Sequence, residues 1–349
     1  MSAAEPGLAG IERAPVTDWL AANVPGLRAP VRFALVAGGR SNLTYQVIDA
    51  AGAEFALRRP PTGGVLSTAH DMSREWRFLS ALEPTAVPVP RPLAYCADAT
   101  VTGAEFYVMA FVDGLVLADL DAGLRLEPSA RTRAGHDVVD VLVRLQEVDP
   151  VEVGLGDMVR SRGYVERQLF RWHRQVHQSG AANLALLDEV HDLLATRVPA
   201  QATGIVHGDF RPGNMTFGAD GRVLAVFDWE LATTGDPLAD LGWLVASWHD
   251  PDQVSGPTTP GPSAAPGFPG KNELVARYAQ RSGRDVSDLP YFVAFARWRS
   301  ACIVAGVHAR YLAGVMGDDG YLDQARRRGE QAEALVHAAR DALRDLGLG

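Results

Sequence analysis

The sequence predicts an α+β protein with two lobes, a small β-rich N-terminal lobe over residues 1–112 and a larger, mainly helical C-terminal lobe over residues 113–349. Short apolar runs broken by glycine turns fill the first lobe, whereas apolar residues recur at helical spacing through most of the second. A chain of 349 residues is long enough to bury a sizeable core in each lobe. Hydrophobic residues at 47% and charged residues at 21% are typical of a globular protein.

The N-terminal lobe is predicted to contain three strands, a helix and two further strands, in that order. A short helix from Asp18 to Val24 precedes them, capped by Thr17 and ended by Pro25-Gly26. Repeated prolines between Pro84 and Pro92 exclude a helix there. Four of the five predicted strands can be given bounds, Val31 to Val36, Leu43 to Ile48, Glu54 to Arg58 and Phe106 to Val112, and the predicted helix is His70 to Leu82.

Helical spacing of apolar residues predicts most of the C-terminal lobe. Between Asp250 and Gly270 the chain is rich in proline, glycine and serine, which predicts a mobile surface loop that does not pack. The predicted helices are Ser129 to Val148, Val159 to Gln178, Ala182 to Ala195, Asp236 to Ser247, Glu273 to Ser282, Pro290 to Ala313 and Gly320 to Leu346.

Composition argues against several classes of protein. The net charge of −9 argues against non-specific binding to nucleic acid. No apolar run is long enough to span a bilayer, so no membrane partner is expected, and the first residues lack the features of a signal peptide. Cys96 and Cys302 are the only cysteines, so we expect no disulfide framework and a cytoplasmic location.

The most informative stretch of the chain is His207-Gly-Asp-Phe-Arg-Pro-Gly-Asn214. Asn214 follows Asp209 by five residues, the span of a tight loop, and Asp228 follows Asp209 by nineteen, after an apolar run. The turn Gly218-Ala-Asp-Gly221 predicts a hairpin that returns Asp228 to Asn214. One acid can then face a substrate hydroxyl while the asparagine and the second acid hold Mg²⁺ on ATP, which is the division of roles in phosphoryl-transfer sites.

This pattern resembles the aminoglycoside phosphotransferase family, small-molecule kinases with a protein-kinase-like fold. The resemblance covers roughly residues 17 to 340 and points to the branch whose phosphotransferase domains are associated with acyl-CoA dehydrogenases. It implies ATP and Mg²⁺ as cofactors. The further segments that carry it are Gly38-Gly-Arg-Ser-Asn-Leu-Thr-Tyr45, Leu57-Arg-Arg-Pro-Pro61, Arg74-Glu75, Tyr107-Val-Met109 and Gly235-Asp-Pro-Leu-Ala-Asp240.

The resemblance gives roles to the residues of the motif. Asp209 is expected to orient the acceptor hydroxyl and to accept its proton. Asn214 and Asp228 are the predicted metal ligands, because Mg²⁺ keeps several waters and takes few protein oxygens. His207 belongs to the catalytic loop and is expected to brace it. Glu230 is a further candidate: it could bind the metal through water or make a structural contact to the loop, and it is also counted among the candidate acceptor-binding residues.

A short glycine loop is the predicted phosphate-binding element. Gly38 and Gly39 let backbone N–H groups approach a phosphate, and Ser41 or Asn42 can add a side-chain donor. The loop is shorter than the glycine-rich loop of protein kinases, but it lies between two predicted strands and precedes the catalytic motif.

Arg58 is predicted to take the place of the usual phosphate-binding lysine, with Glu75 as its ion-pair partner. Strand alternation puts the neighbouring Arg59 on the opposite face, so a change there is expected to be nearly silent. An arginine can contact two phosphate oxygens, so this substitution is compatible with activity. Met109 and Phe111 belong to the predicted adenine-binding hinge.

A basic stripe on one predicted helix bears on the question of the acceptor. Arg167, Arg171 and Arg174 fall on one face of a predicted helix, and Arg299 lies on a later one. A solvated face or contact with an anionic acceptor would each explain the stripe. The opposite, apolar face of the first helix, predicted to pack inward, is formed by Val165, Leu169, Trp172 and Val176.

Together these features predict an ATP- and Mg²⁺-dependent kinase that phosphorylates a hydroxyl of a small molecule, with a hydroxyacyl-CoA-type metabolite as the favoured acceptor. One alternative is an aminoglycoside phosphotransferase, whose polycationic substrate would require an acidic lining. A second is a non-catalytic nucleotide-binding module, which Arg58 would favour and the intact set of Asp209, Asn214 and Asp228 opposes. The sequence leaves open the acceptor, the choice between ATP and GTP, and the oligomeric state.

Overall fold

The structure is a computed structural model, and it describes residues 8–37, 42–62, 71–160, 163–182, 184–251, 259–314 and 325–348. The chain divides into two compact units. The first comprises Met1–Gly114 with Leu224–Ala232, and the second comprises Leu115–Val223 with Thr233–Gly349. The segment that carries Asp228 therefore groups with the N-terminal residues, although it follows Asp209 in the sequence.

Helices and strands alternate in the first part of the chain, and helices predominate in the second. In chain order the elements are α1 (Arg13–Asn23), β1 (Arg32–Ala37), β2 (Leu43–Ile48), β3 (Glu54–Arg59), α2 (Met72–Leu82), β4 (Pro92–Cys96), β5 (Phe106–Ala110), β6 (Leu115–Val116), α3 (Leu120–Leu124), α4 (Pro128–Glu147), α5 (Tyr164–Gln178), α6 (Ala185–Thr196), β7 (Gly204–Val206), β8 (Met215–Phe217), β9 (Val223–Val226), β10 (Thr233–Gly235), α7 (Leu238–Ser247), α8 (Lys271–Ser282), α9 (Leu289–Leu312) and α10 (Ala325–Asp345).

The first unit is built on an antiparallel sheet with the strand order β1-β2-β3-β5-β4. The predicted order of three strands, a helix and two strands is confirmed. Because side chains alternate along a strand, each face of the sheet has its own apolar cluster. Leu57 of β3 packs with Leu20 of α1 on one face, and Ala56 packs with Leu79 of α2 on the other.

Helix α1 differs from its prediction. It spans Arg13–Asn23 rather than Asp18 to Val24, and Thr17 lies inside it instead of capping it. Pro15 falls in the first turn, where the backbone N–H groups have no partner within the helix, so the missing proline N–H costs nothing there. The earlier start places Val16 and Leu20 one turn apart, and both are buried.

In the second unit, the long helix α9 packs against α5, α6, α7 and α10. The apolar face predicted for α5 is confirmed, since Val165, Leu169, Trp172 and Val176 are all buried. The indole N–H of Trp298 in α9 donates to the carbonyl of Leu187 in α6 at 2.9 Å, which fixes the position of these two helices relative to each other.

The proline-rich segment before α8 packs more closely than its composition predicts. Residues 252–258 lie outside the described residues, but Ala265 and Phe268 are buried. Arg131 of α4 donates to the carbonyl of Pro266 at 2.7 Å, and Trp248 donates to that of Pro269 at 3.0 Å. The prediction of a segment that does not pack is therefore wrong for residues 259–270, which contribute buried side chains and accept hydrogen bonds from side chains at Pro266 and Pro269.

Among the residues that the structure describes, none of the helices combines the length and the apolar character that crossing a membrane requires.

Arg58 and Arg59 point to opposite faces of β3, as strand alternation predicts, but Arg59 is not a solvated side chain. It is buried, and its guanidinium donates to the carbonyl of Gly10. Gly10 has a φ of +69°, and a Cβ there would lie 1.2 Å from the Arg59 guanidinium nitrogen. The backbone at residue 10 therefore approaches Arg59 as closely as only glycine allows.

We expect Arg59→Met to lower the free energy of unfolding by about 1–3 kcal/mol, since the Gly10 carbonyl loses a charged donor. Any activity that depends on Arg58 should be unchanged, because Arg59 lies on the opposite face of the strand. Urea denaturation and initial rates measure the two effects. The exposed Arg32 provides the control: Arg32→Met should change stability by less than about 0.5 kcal/mol. Equal stability of the two variants would contradict the buried role of Arg59.

Candidate active site

The start of the motif from His207 to Asn214 is held by the buried carboxylate of Asp240. Asp240 of α7 is fully buried and accepts the backbone N–H of His207 at 2.6 Å and that of Gly208 at 2.8 Å. Gly208 has a φ of +86°, a conformation that favours glycine. Burial raises the pKa of the Asp240 carboxyl, although His207 lowers it. The backbone of the loop is therefore held in place at the two residues that precede Asp209.

His207 braces this loop. Its ring is buried, and its Nδ1 accepts the backbone N–H of Asp209 at 3.2 Å. The ring of Phe210 lies edge-on against it at 5.9 Å. This placement supports the bracing role expected for His207, because its Nδ1 is engaged by the backbone of the loop.

Asp209 points its carboxylate into a ring of donors and is 18% exposed. Asn214 donates to Oδ2 at 2.7 Å, and the indole N–H of Trp243 donates to Oδ1 at 2.7 Å. The Nε of Arg211 lies 3.1 Å from Oδ1. These contacts hold the carboxylate in one orientation, with part of it exposed to solvent.

Asn214 closes the catalytic loop. Its amide nitrogen also donates to the main-chain carbonyl of Asp209 at 2.8 Å, so the carboxamide oxygen is the atom suited to a metal. Downstream, the N–H of Gly218 donates to the carbonyl of Arg222 at 2.9 Å, which confirms the predicted turn. Asn214 lies in the second unit and Asp228 in the first.

A buried cation supports the same loop. Arg299 of α9 donates to the carbonyl of Gly208, and its guanidinium stacks 4.2 Å from the ring of Trp243 and 5.5 Å from that of Trp172. The sequence suggested Arg299 as an acceptor-binding residue. The structure instead places it beneath the catalytic loop, held by cation–π contacts.

Trp243→Phe should lower kcat by about tenfold, since a hydrogen bond to a charged acceptor contributes about 1.5–3 kcal/mol. Phenylalanine keeps an aromatic face for Arg299 but cannot donate to Asp209. Nucleotide affinity should be unchanged, and both constants come from steady-state rates and calorimetry.

Trp172→Phe is the matched control, because Trp172 also flanks Arg299 but donates to Gln168 at 2.9 Å rather than to Asp209. An equal loss in both variants would mean that ring packing, and not the hydrogen bond, positions Asp209.

In the first unit, Arg58 and Glu75 form the predicted ion pair. The Arg58 Nε lies 2.8 Å from Glu75 Oε2, and the side chains are 11% and 0% exposed. Burial lowers the pKa of the Arg58 guanidinium, but the charges of Glu75, Tyr107 and Asp228 and the hydrogen bond to Glu75 together outweigh burial and hold that pKa well above its ordinary value. Burial also raises the pKa of Glu75, with Arg58 opposing it.

Glu75 has two further donors. The Tyr107 hydroxyl donates to Oε2 at 2.8 Å, and the Asn42 amide donates to Oε1 at 2.6 Å. The sequence suggested Tyr107 only as part of the hinge. Its position opposite Arg58 in the β3–β5 register explains why its hydroxyl reaches the same carboxylate. Both carboxylate oxygens of the buried Glu75 therefore accept hydrogen bonds, as expected for a buried polar group.

Three carboxylates in the first unit have the composition of a metal site. Oxygen atoms of Glu75, Asp228 and Glu230 lie within 4.8 Å of one another. Arg58 also contacts Asp228, so a cation already faces this acid. Within the described part of the chain, the buried Oδ1 of Asn42 has no hydrogen-bond partner. An all-oxygen donor set of this kind fits Mg²⁺.

Asp228 has an unusual backbone. Its φ of 67° and ψ of 58° are left-handed, a conformation uncommon outside glycine and costly for most side chains. The following Trp229 is buried and stacks on Phe78 at 6.3 Å, which holds the turn. Strain of this type is characteristic of functional positions, where the surrounding packing maintains it.

Of the remaining residues predicted to bind the nucleotide, some lie outside the described residues and others are buried in the first unit. Gly38, Gly39 and Ser41 lie outside the described residues. Met109 is buried between β3 and β4 in a cluster with Met72 and Leu79, against which Phe111 and Phe227 also pack. The predicted hinge residues therefore belong to an apolar cluster of the first unit.

The predicted basic stripe separates into two parts. Arg167 donates to the main-chain carbonyl of Thr234 at 2.7 Å, which ties α5 to β10. Arg171 and Arg174 are exposed and lie against the rings of Trp172, at 5.0 Å, and Phe170, at 5.5 Å. Two arginines of the three therefore present charge to solvent.

Comparison with known proteins defines the class. Residues 32–285 match the model of the phosphotransferase enzyme family. A Ralstonia eutropha protein provisionally named an aminoglycoside phosphotransferase superposes with a TM-score of 0.77 at 32% identity, covering 95% of this chain and 98% of that one. Choline kinase from Cryptosporidium parvum superposes with a TM-score of 0.63 at 12% identity, covering 95% and 96% of the two chains. The fold is kinase-like, as predicted.

Two relatives from animals show which proteins contain a similar chain. Acyl-CoA dehydrogenase family member 11 of Gallus gallus is 34% identical over 79% of this chain and 36% of its own length. Family member 10 of Mus musculus is 32% identical over 87% of this chain and 28% of its own. The chain thus spans less than two fifths of the relatives it matches. It belongs to the phosphotransferase enzyme family, which confirms the resemblance found in the sequence.

Proposed function

We propose that the chain is an ATP- and Mg²⁺-dependent kinase that phosphorylates a hydroxyl of a small molecule. The observation that carries this proposal is the Asp209 carboxylate, held by Asn214, Trp243 and Arg211 and left partly open. A non-catalytic nucleotide-binding module would have no use for an oriented, accessible carboxylate on a braced loop.

Each residue has a role in this reaction. Asp209 aligns the acceptor hydroxyl and takes its proton as the bond to phosphorus forms. Arg58, held by Glu75, contacts phosphate oxygens of the nucleotide. Asn214 and Asp228 provide oxygens for Mg²⁺, with Glu230 next to Asp228 as a further ligand through water. Bound MgATP would supply the phosphoryl group and neutralise its developing charge.

The acceptor that fits best is a hydroxyacyl-CoA. Its CoA moiety is anionic, which suits the exposed Arg171 and Arg174. The curated relatives carry an acyl-CoA dehydrogenase name and match this chain over about four fifths of its length. An aminoglycoside is polycationic and would meet these arginines unfavourably, so it is the second candidate, supported by the name of the Ralstonia eutropha relative.

A panel of acceptors tests the proposal. The chain is incubated with MgATP and either hydroxyacyl-CoA thioesters, the free hydroxy acids or aminoglycosides, and products are identified by mass. We expect one phosphoryl group on the hydroxyacyl-CoA and none on the aminoglycosides. Phosphorylation of aminoglycosides alone would overturn the acceptor but keep the kinase. If no acceptor is modified and calorimetry detects no binding of MgATP, the kinase itself is refuted.

The basic stripe gives a residue-level prediction. The double variant Arg171→Ala/Arg174→Ala should raise KM for the hydroxyacyl-CoA by roughly tenfold or more, because charge-assisted contacts contribute about 1.5–3 kcal/mol where partly buried. KM for ATP should be unchanged. Arg133→Ala, which removes a surface arginine of α4 paired with Asp220 at 3.4 Å, is the control. An unchanged acceptor KM in the double variant would identify the stripe as a solvated face.

A further inference from the structure

A second cluster of metal-ligating side chains lies between α5 and α6, and the proposed phosphotransfer makes no use of it. His173 and His177 are one turn apart on α5, so their rings share a face of the helix, with centroids 4.4 Å apart. Asp188 stands in the first turn of α6. All three belong to the second unit.

The ligand atoms of these side chains converge on one point. The Nε2 of His173 lies 2.9 Å from Asp188 Oδ1, and the Nε2 of His177 lies 2.8 Å from the same oxygen. The side chains are between 32% and 40% exposed, so an ion can reach them from solvent. Two imidazole nitrogens and one carboxylate oxygen within this space form a three-ligand set.

We propose that His173, His177 and Asp188 bind a divalent transition-metal ion of the zinc type, which joins α5 to α6. Imidazole with carboxylate suits Zn²⁺, Co²⁺ or Ni²⁺ rather than Mg²⁺, which prefers oxygen alone. Three protein ligands leave the fourth tetrahedral position for water.

The distances are close to what such an ion requires. A tetrahedral Zn²⁺ with bonds of about 2.1 Å separates its ligand atoms by about 3.4 Å. The observed separations of 2.8 and 2.9 Å need to open by only about half an ångström, which small rotations of the partly exposed rings provide.

Neighbouring side chains orient one of the rings. His191, one turn after Asp188 on α6, stacks on His173 with centroids 4.3 Å apart, and its own Nδ1 pairs with Asp192 at 3.0 Å. On its other side, the ring of His191 lies 5.8 Å from that of the buried Trp298.

Titration of the untagged, chelator-treated full chain with Zn²⁺ tests the proposal, in excess Mg²⁺ so that the carboxylates of the nucleotide site are occupied. Calorimetry should give one equivalent of bound zinc, Co²⁺ should give the visible absorption of a tetrahedral site, and zinc should raise the melting temperature. His173→Gln, His177→Gln and Asp188→Asn should each weaken zinc binding by at least about tenfold.

Two controls make the result specific. His136 pairs with Glu273 at 2.6 Å, but among the described residues it belongs to no group of three possible metal ligands. The variant His136→Gln should therefore bind zinc normally. Asp228→Asn alters the other acidic cluster and should also leave zinc binding unchanged. No binding at micromolar zinc, or binding insensitive to the three ligand variants, would overturn the proposal. Loss in Asp228→Asn instead would place the zinc at the nucleotide site.

Discussion

Asp209→Asn should lower kcat by roughly 10²–10⁴ and leave the affinity for MgATP nearly unchanged. Asparagine has the same shape but cannot accept the proton of the acceptor hydroxyl. In the wild-type chain, Trp243 and Asn214 donate hydrogen bonds to the Asp209 carboxylate. The NH₂ group of an asparagine would place a further donor against one of these two donors. Single-turnover rates separate the chemical step from binding, and calorimetry gives the nucleotide affinity.

Arg211→Met is the control for this variant. It removes one of the donors to Asp209 but keeps the carboxylate, and the Arg211 side chain is 40% exposed, so the fold should be unaffected. The loss of turnover should be far smaller than in Asp209→Asn. Comparable losses would mean that the arrangement of the loop, rather than the proton acceptor, limits the rate.

Arg58→Met should have the largest effect on stability. It leaves Glu75 buried without its cation, and breaking a buried pair costs about 3–5 kcal/mol. KM for ATP should rise and turnover should fall, since the phosphate contacts are lost. Arg58→Lys should keep more activity because a point charge still reaches the phosphates. Chemical denaturation and initial rates measure these effects.

The stability loss in Arg58→Met should depend on pH. Burial already raises the pKa of Glu75, and removal of Arg58 raises it further. The folded variant then holds a proton that the unfolded chain releases, so stability falls as the pH rises above the unfolded pKa of Glu75 towards its folded value. Adding Glu75→Gln should remove that dependence and recover part of the stability. A loss that does not change with pH would contradict a buried, unpaired Glu75.

Much of the first unit could be predicted because its strands have a simple periodicity. The alternation of side chains placed Arg58 and Arg59 on opposite faces, and the structure confirms this. The alternation does not predict that Arg59 is buried, because the carbonyl that accepts its hydrogen bond belongs to Gly10, far away in the sequence. Local patterns report which face a residue occupies but not what covers that face.

The same limit applies to the candidate site. The motif from His207 to Asn214 was recognisable because its residues are close in sequence. Trp243, which donates to Asp209, is an ordinary apolar residue in a helical pattern, and only the packing of α7 brings it to the loop. The sequence suggested Arg299 as an acceptor-binding residue, yet it is buried between two indole rings. Polar partners supplied by tertiary packing leave no signal in the local sequence.

Transfer of a labelled phosphoryl group is the most direct test of the proposed activity. The chain is given Mg²⁺, a hydroxyacyl-CoA and ATP whose γ-phosphoryl oxygens are ¹⁸O, and the product is analysed by mass spectrometry. The account predicts that the hydroxyl of the acceptor gains the labelled phosphoryl group and that ADP forms in equal amount. Asp209→Asn should slow the formation of both by at least about a hundredfold at the same protein concentration. Labelled inorganic phosphate with an unmodified acceptor, or transfer that is equally fast in Asp209→Asn, would contradict it.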